Sequence, residues 1–269
     1  MNSPGGIAGV GCLTGWGEGI AALPDDACRA ANGRGVVAIP TPSLRGERFR
    51  RVTRECLLGV AAVDAALTVA GLGRNEIAGA ETALVYVTAG AYGASNRAFL
   101  NAASAGALHF PYTAPSAVPA EVAIEFQLTG SYVILIGGAT ATLEALWQAS
   151  LLIERGAARR ALVLAVETFA ECADLYAKGR RLLGAPLVEA ATCAVLGPAV
   201  KSPTWHAAPH PDAARLEAMA RTRAGETFSC APLIALALGT REPAPVAVTG
   251  RWRGRRTALE WRPAGPDGE

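Results

Sequence analysis

The residues best suited to making and breaking bonds are few and scattered. His109, His206 and His210 are the only histidines, and the last two flank a proline-rich stretch, WHAAPHPD. A metal site there needs further ligands, and Asp212 is the one obvious neighbour, so a solvated loop and no metal are expected. No serine or cysteine is spaced from a histidine as a nucleophile from its base, which leaves imidazole chemistry little to build on. Cys12, Cys28, Cys56, Cys172, Cys193 and Cys230 lack CxxC spacing and mostly sit in apolar runs, the pattern of reduced, buried thiols in a cytoplasmic protein. GGIAGVGCLTG (5–15) carries the glycines of a dinucleotide fingerprint, but WGEGIAALPDD after it is a poor helix. Close backbone packing is the better reading, and no cofactor is expected. RWRGRR (251–256) is a small basic cluster suited to phosphate, to an acidic protein, or to the solvated tip of a hairpin.

The most suggestive stretch holds no nucleophile. Residues 133–146 read VILIGGATATLEAL. A β-branched apolar run meets two glycines, and the period then turns helical. Such a turn sets a side chain at the start of a helix, where chemistry is often done. Here it holds Ala139, Thr140, Ala141 and Thr142.

The elements that must position these residues alternate between strand and helix. TALVYVT (82–88), YVILI (132–136), ALVLAV (161–166) and EAATCAVL (189–196) read as strands. Helical periods run over 47–70, around 96–103, up to about 128, over 139–155, 212–222 and 230–238, while 14–46 and 201–211 read as loop. Residues 246–250 and 257–261 read as a closing hairpin. In the 47–70 helix, Val52, Cys56, Val60, Val63 and Leu67 share one face, with Arg50, Arg51 and Arg54 off it. The alternation gives an α/β layered sheet, and its continuous apolar strands favour cover on both faces. Half of the 269 residues are apolar and the net charge is +2, so no global field calls for nucleic acid. The most apolar stretch, 131–153, is interrupted by Glu144 and Gln148, which argues against a membrane span. MNSPGG lacks the basic start of a signal peptide.

The ordered motifs resemble the β-ketoacyl synthases of the thiolase superfamily. IAGVGCLTGWGEG resembles their first strand and loop, and GERFRRVTRECLLGVAAVDAALTVAGL their first long helix. The segment 83–167 resembles the stretch through the nucleophile turn, and PLVEAATCAVLGP the strand after it. The resemblance implies a thiolase-like layered α/β fold with the N-terminal half complete (1–200). The C-terminal half is largely deleted, and 201–269 is a remnant of helices and a closing hairpin packed on the rest. The departures bear on chemistry. The family's nucleophilic cysteine falls on Ala139, and a methyl group cannot attack a thioester. The first catalytic histidine has no counterpart. The second, which opens a helix resembled by GETFSCAPLIALALG, falls on Glu226.

The resemblance therefore implies a non-catalytic chain-length-factor-like subunit, of the kind found with aryl-polyene-type synthases. It would form a heterodimer with a catalytic ketosynthase subunit and shape a shared acyl tunnel. Acyl carrier protein would be met indirectly, without nucleic acid, cofactor or membrane span. Tyr112, Thr113, Ser116 and Val118 are the expected tunnel residues, and Tyr132, Val133 and Ile134 the expected pairing strand. Two rivals remain. One is an altered enzyme such as a malonyl-carrier-protein decarboxylase, with Thr140 and Glu226 as its pair. The other is a standalone acyl-binding module. The missing groups predict that Ala139→Cys alone restores no condensation in a radiolabelled malonyl-transfer assay. Turnover that follows the new thiol would contradict the reading.

Overall fold

The computed structural model describes residues 6–101, 110–176, 183–200, 202–207, 211–239 and 246–261. Along the chain run β1 (Ile7–Thr14), β2 (Gly17–Glu18), α1 (Ala27–Ala31), β3 (Val36–Val37), α2 (Arg54–Ala70), β4 (Thr82–Thr88), α3 (Gly93–Asn101), α4 (Ala117–Phe126), β5 (Tyr132–Ile136) and α5 (Ala139–Glu154). They are followed by β6 (Arg160–Glu167), α6 (Ala173–Tyr176), β7 (Leu187–Val188), β8 (Ala190–Leu196), β9 (Thr204–His206), α7 (Pro211–Ala224), α8 (Ala231–Gly239), β10 (Val246–Trp252) and β11 (Arg255–Trp261).

Six strands form one sheet in the order β2-β1-β8-β6-β4-β5. Strands β6, β4 and β5 run parallel, and β8 runs antiparallel to both of its neighbours. Alternate side chains enter two separate cores. Val85, Val87, Val163 and Ala165 meet Leu143 and Leu146 of α5 and Leu233 and Leu236 of α8. Leu84, Tyr86, Leu162 and Leu164 meet α2 and α4 through Leu58, Val63, Val122 and Phe126. Burial on both faces is why these strands are apolar without interruption. A second sheet, β10-β11-β9, sends Val248, Leu259 and Trp261 into the first of those cores, so α5 and α8 are sandwiched between two sheets. Its other face packs Ala247 and Ala258 on Ala213 of α7. Helix, sheet, helix, sheet and helix follow in turn, the layered α/β arrangement expected.

The glycines of β1 serve packing. A Cβ on Gly11 would lie 2.3 Å from the amide nitrogen of Ala66, so α2 lies directly on the strand. Several expectations need correction. The 47–70 helix is broken: a 3₁₀ turn covers Glu47–Arg51, and α2 starts only after extended Thr53, whose hydroxyl donates to Cys56 Sγ at 3.2 Å. The 14–46 loop contains β2, α1 and β3, and the 201–211 loop contains β9, which pairs with β11 through Trp205 and Leu259. Both were hidden because elements of two to five residues carry no readable period. Residues 111–119, which the sequence suggests are irregular because of their prolines, are not so throughout. They hold the 3₁₀ turn Phe110–Thr113 and the start of α4, where Pro119 is tolerated in the first turn because its missing N–H has no partner there anyway. All six cysteines are free as expected, though Cys28 is exposed.

Arg54 was expected to face away from the core, but it turns inward to Glu189, whose side chain is fully buried. Glu189 accepts from the backbone N–H groups of Ile39, Phe169 and Ala170, each at 2.8 Å, and from both Arg54 Nη atoms. Arg54 also donates to Ile39 O at 2.6 Å and to Glu171 at 2.8 Å. One carboxylate thus ties α2, the segment after β3, and the ends of β6 and β7. Removing the cation alone leaves a buried charge short of its partner. Arg54→Met should cost about 3–5 kcal/mol in urea unfolding, with Arg54→Lys recovering only part. A loss below about 1 kcal/mol would contradict a buried-pair role.

Candidate functional site

The turn between β5 and α5 is built as the sequence implied. Gly137 N–H donates to Thr88 O at 2.9 Å, Gly138 caps the helix without a side-chain hydrogen bond, and Ala139 is its first residue. Ala139 lines a cleft of about 690 Å³ together with Tyr176, Glu226, Phe228 and Trp252, and Arg221, Arg251 and Arg253 also line it. The two positions expected to have lost their catalytic groups, far apart in sequence, thus share one cleft. Among the described residues no cysteine, serine or histidine lines it.

Glu226 is held for structure. Its backbone bridges to β7, donating to Pro186 O at 2.9 Å and accepting from Val188 N–H at 3.0 Å. Its carboxylate accepts from Phe228 N–H at 3.3 Å and lies 3.6 Å from Arg221. Burial raises its pKa, with Arg221 and Arg251 opposing. Phe228 follows with φ of 48°, a left-handed backbone that a bulky residue adopts only when its surroundings hold it there. What holds it is an aromatic cluster: Phe228 meets Phe169 at 5.1 Å, Trp252 at 5.3 Å and Tyr176 at 6.4 Å between ring centroids.

Sequence reasoning missed the residue beneath this cleft. Glu167 ends β6 fully buried, and a charge closing the run ALVLAV was the available signal. It accepts from Ala89 N–H (2.6 Å), Gly90 N–H (3.2 Å), Ser229 N–H (3.4 Å) and Ser229 Oγ (2.5 Å). Thr142 Oγ1 in the first turn of α5 donates to Ser229 O at 2.6 Å. One carboxylate thus binds the turn after β4, the loop after Glu226 and, through Ser229, the start of α5. Burial lifts its pKa from 4.5 to about 7, against the donors that pull it down. Trp252 was missed as well: it stands in RWRGRR, read as a possible solvated tip. The tip is a tight turn with Arg253 at φ 48° and Gly254 at φ 80°, and Trp252 points inward from it.

The other named residues lie elsewhere. Tyr112 hydroxyl lies 3.2 Å from Glu121 Oε1, Thr113 Oγ1 donates to Phe110 O at 2.7 Å, and Ser116 precedes α4 without capping it. Val118 is buried against Gly59 of α2. Tyr132, Val133 and Ile134 pair with β4, on the strand that forms one edge of the sheet. None of these lines the cleft. Thr140 is half-buried and does not line it either. His206 is not in a solvated loop. It sits on β9 with Nε2 3.0 Å from Glu260, because β11 supplies the partner strand. His109 and His210 lie outside the described residues. Among those described, no group of acidic, histidine or cysteine residues could hold a metal, and no helix is long and apolar enough to cross a membrane.

The profile of the β-ketoacyl synthase N-terminal domain matches residues 41–183, more than half of the chain. The chain belongs to the β-ketoacyl synthase family. Solved structures agree on its thiolase-like fold. A type II polyketide synthase ketosynthase, solved in complex with its acyl carrier protein, superposes with a TM-score of 0.74 at 13% identity, covering 98% of this chain and 100% of that one. The ishigamide ketosynthase/chain length factor gives 0.66 at 18% identity over 96% and 98%. A ketosynthase in complex with its chain length factor from Xenorhabdus doucetiae gives 0.62 at 14% over 95% and 98%. No curated protein matches in sequence.

Glu167 sets a pH dependence for this family member. With the folded pKa above the unfolded one, the native state holds the extra proton. Stability is then full below about pH 4.5 and falls as pH rises to about 7, by roughly 3 kcal/mol from this group. Glu55 and Glu226, also raised by burial, act in the same sense. Denaturant titrations across this window should show the fall, and Glu167→Gln should flatten it. An unchanged slope would refute the assignment.

Proposed function

We propose that this family member is a non-catalytic, chain-length-factor-like partner of an active β-ketoacyl synthase in type II fatty-acid or polyketide assembly of the aryl-polyene kind. One observation carries the reading: Ala139 and Glu226 line a single cleft that, among the described residues, has no cysteine, serine or histidine on its walls, within a retained family fold. Among the described residues no thiol lines it, so the group that would carry the acyl chain in the family is not present there. Ala139 offers no side-chain donor to a developing oxyanion, which counts against the decarboxylase rival.

The sheet edge supports a partner. Among the described residues strand β5 pairs with β4 on one side only, and Tyr132 and Ile136 are 46% and 53% exposed. Ile124 of α4 and Phe110 before it are exposed large apolar side chains as well. A bare apolar edge strand is a template for another chain, and covering it stabilises both partners. In this reading the two subunits meet along β5, and Tyr112, Thr113 and Ser116 approach the shared tunnel from the segment before α4. Val118 supports that wall from behind through Gly59. The bulk of these side chains sets how many ketide units fit, while the partner supplies the chemistry and meets the carrier protein.

Co-expression with a ketosynthase that retains its cysteine and both histidines should yield a one-to-one complex on size exclusion. Ile136→Lys should break it, and Tyr112→Ala should lengthen the product without altering the partner's acylation. A monodisperse monomer that ignores the synthase, or malonyl-carrier-protein turnover by the chain alone, would overturn the proposal.

A further inference from the structure

The C-terminal hairpin crosses the nucleophile turn at two bare Cα atoms. A Cβ on Gly138 would lie 2.1, 2.3 and 2.7 Å from ring carbons of Trp252, so the indole rests directly on that Cα. A Cβ on Gly250 would lie 2.7 Å from Ala139 O and 3.2 Å from Ala139 Cβ, so the β10 backbone lies against the first residue of α5. Gly250 and Trp252 are two apart on one strand and therefore share a face. Phe228 presses edge-on against the same indole, with its backbone in the left-handed region. On the outer side the Arg253 guanidinium lies 5.9 Å from the ring centre.

We propose that the C-terminal hairpin is an internal plug, in which Trp252 takes the space over the Gly138–Ala139 turn that a reacting group would need. Position 139 is then closed by bulk as well as stripped of its nucleophile. Ala139 in turn keeps position 250 bare, since a side chain there would meet the Ala139 backbone. The cleft that remains lies beside the indole, bordered by Arg221, Arg251 and Arg253. This rests on the family reading only for the choice of position 139.

Alkylation tests it on the full chain, alone or with its partner. Cys28 is exposed and the other five native cysteines are buried, which supplies a fast reference and a check on folding within one molecule. In Ala139→Cys, iodoacetamide should modify position 139 at least tenfold more slowly than Cys28, read by peptide mass spectrometry. Adding Trp252→Gly should raise that rate at least tenfold and leave Cys28 unchanged, with the buried cysteines still protected. Gly138→Ala combined with Ala139→Cys gives an independent reading. Its methyl displaces the indole without leaving a hole, and the rate at 139 should rise again. Labelling at 139 as fast as at Cys28 while Trp252 is present would overturn the plug. So would no acceleration in either double variant. Neither result depends on whether a synthase partner binds, so failure here is separable from failure of the proposed function.

Discussion

The buried carboxylate of Glu189 is the constraint from which the cleft is built. Its acceptance of the Phe169 and Ala170 N–H groups fixes the chain just past β6. Phe169 is thereby held where its ring meets both Tyr176 and Phe228. Phe228 in turn meets Trp252, which rests on Gly138. A hydrogen-bonding requirement on one side of the main sheet is thus passed, ring by ring, to the first turn of α5 on the other. Arg54 makes the arrangement possible, because a fully buried carboxylate without a cation would be strongly unfavourable. Glu167, two residues before Phe169, gathers the remaining loops around the same point.

This arrangement shows how little the turn before α5 owes to the side chain at its first position. The strand–turn–helix that presents a nucleophile depends on β5 pairing with β4, on two glycines and on α5 packing between the sheets. None of these needs a thiol. With Ala139 at that position, the space above the turn is taken by apolar packing. The three-stranded sheet supplies that packing, with Val248, Leu259 and Trp261 burying the face of α5 that the main sheet leaves uncovered.

The main sheet was legible in the sequence because its signals are local. Strands β4 and β5 fall at the expected residues, and α5 begins at Ala139, since β-branched runs and paired glycines are short-range features. The pairing of Ala139 with Glu226 in one cleft was reachable only through motif order. What stayed hidden depends on partners distant in the chain. Strand β9 is three residues long and exists because β11 is beside it. Arg54 looked like a solvated charge because nothing near it in sequence announces Glu189. Trp252 looked like part of a basic tip because Gly138, which receives its ring, lies in another segment altogether.

The contact between Gly138 and Trp252 also bears on evolutionary history. Recovery of a lost activity is usually imagined as the reversal of one substitution. Here a change at the turn meets packing resistance first, because Trp252 lies on Gly138 and Gly250 on Ala139. The hairpin, released first, leaves a hole in the core and gains nothing in return. Each route needs both changes, and they fall in well-separated segments of the chain. The close fit of an indole on a bare Cα therefore couples two distant segments, so that neither can change size without disturbing the other.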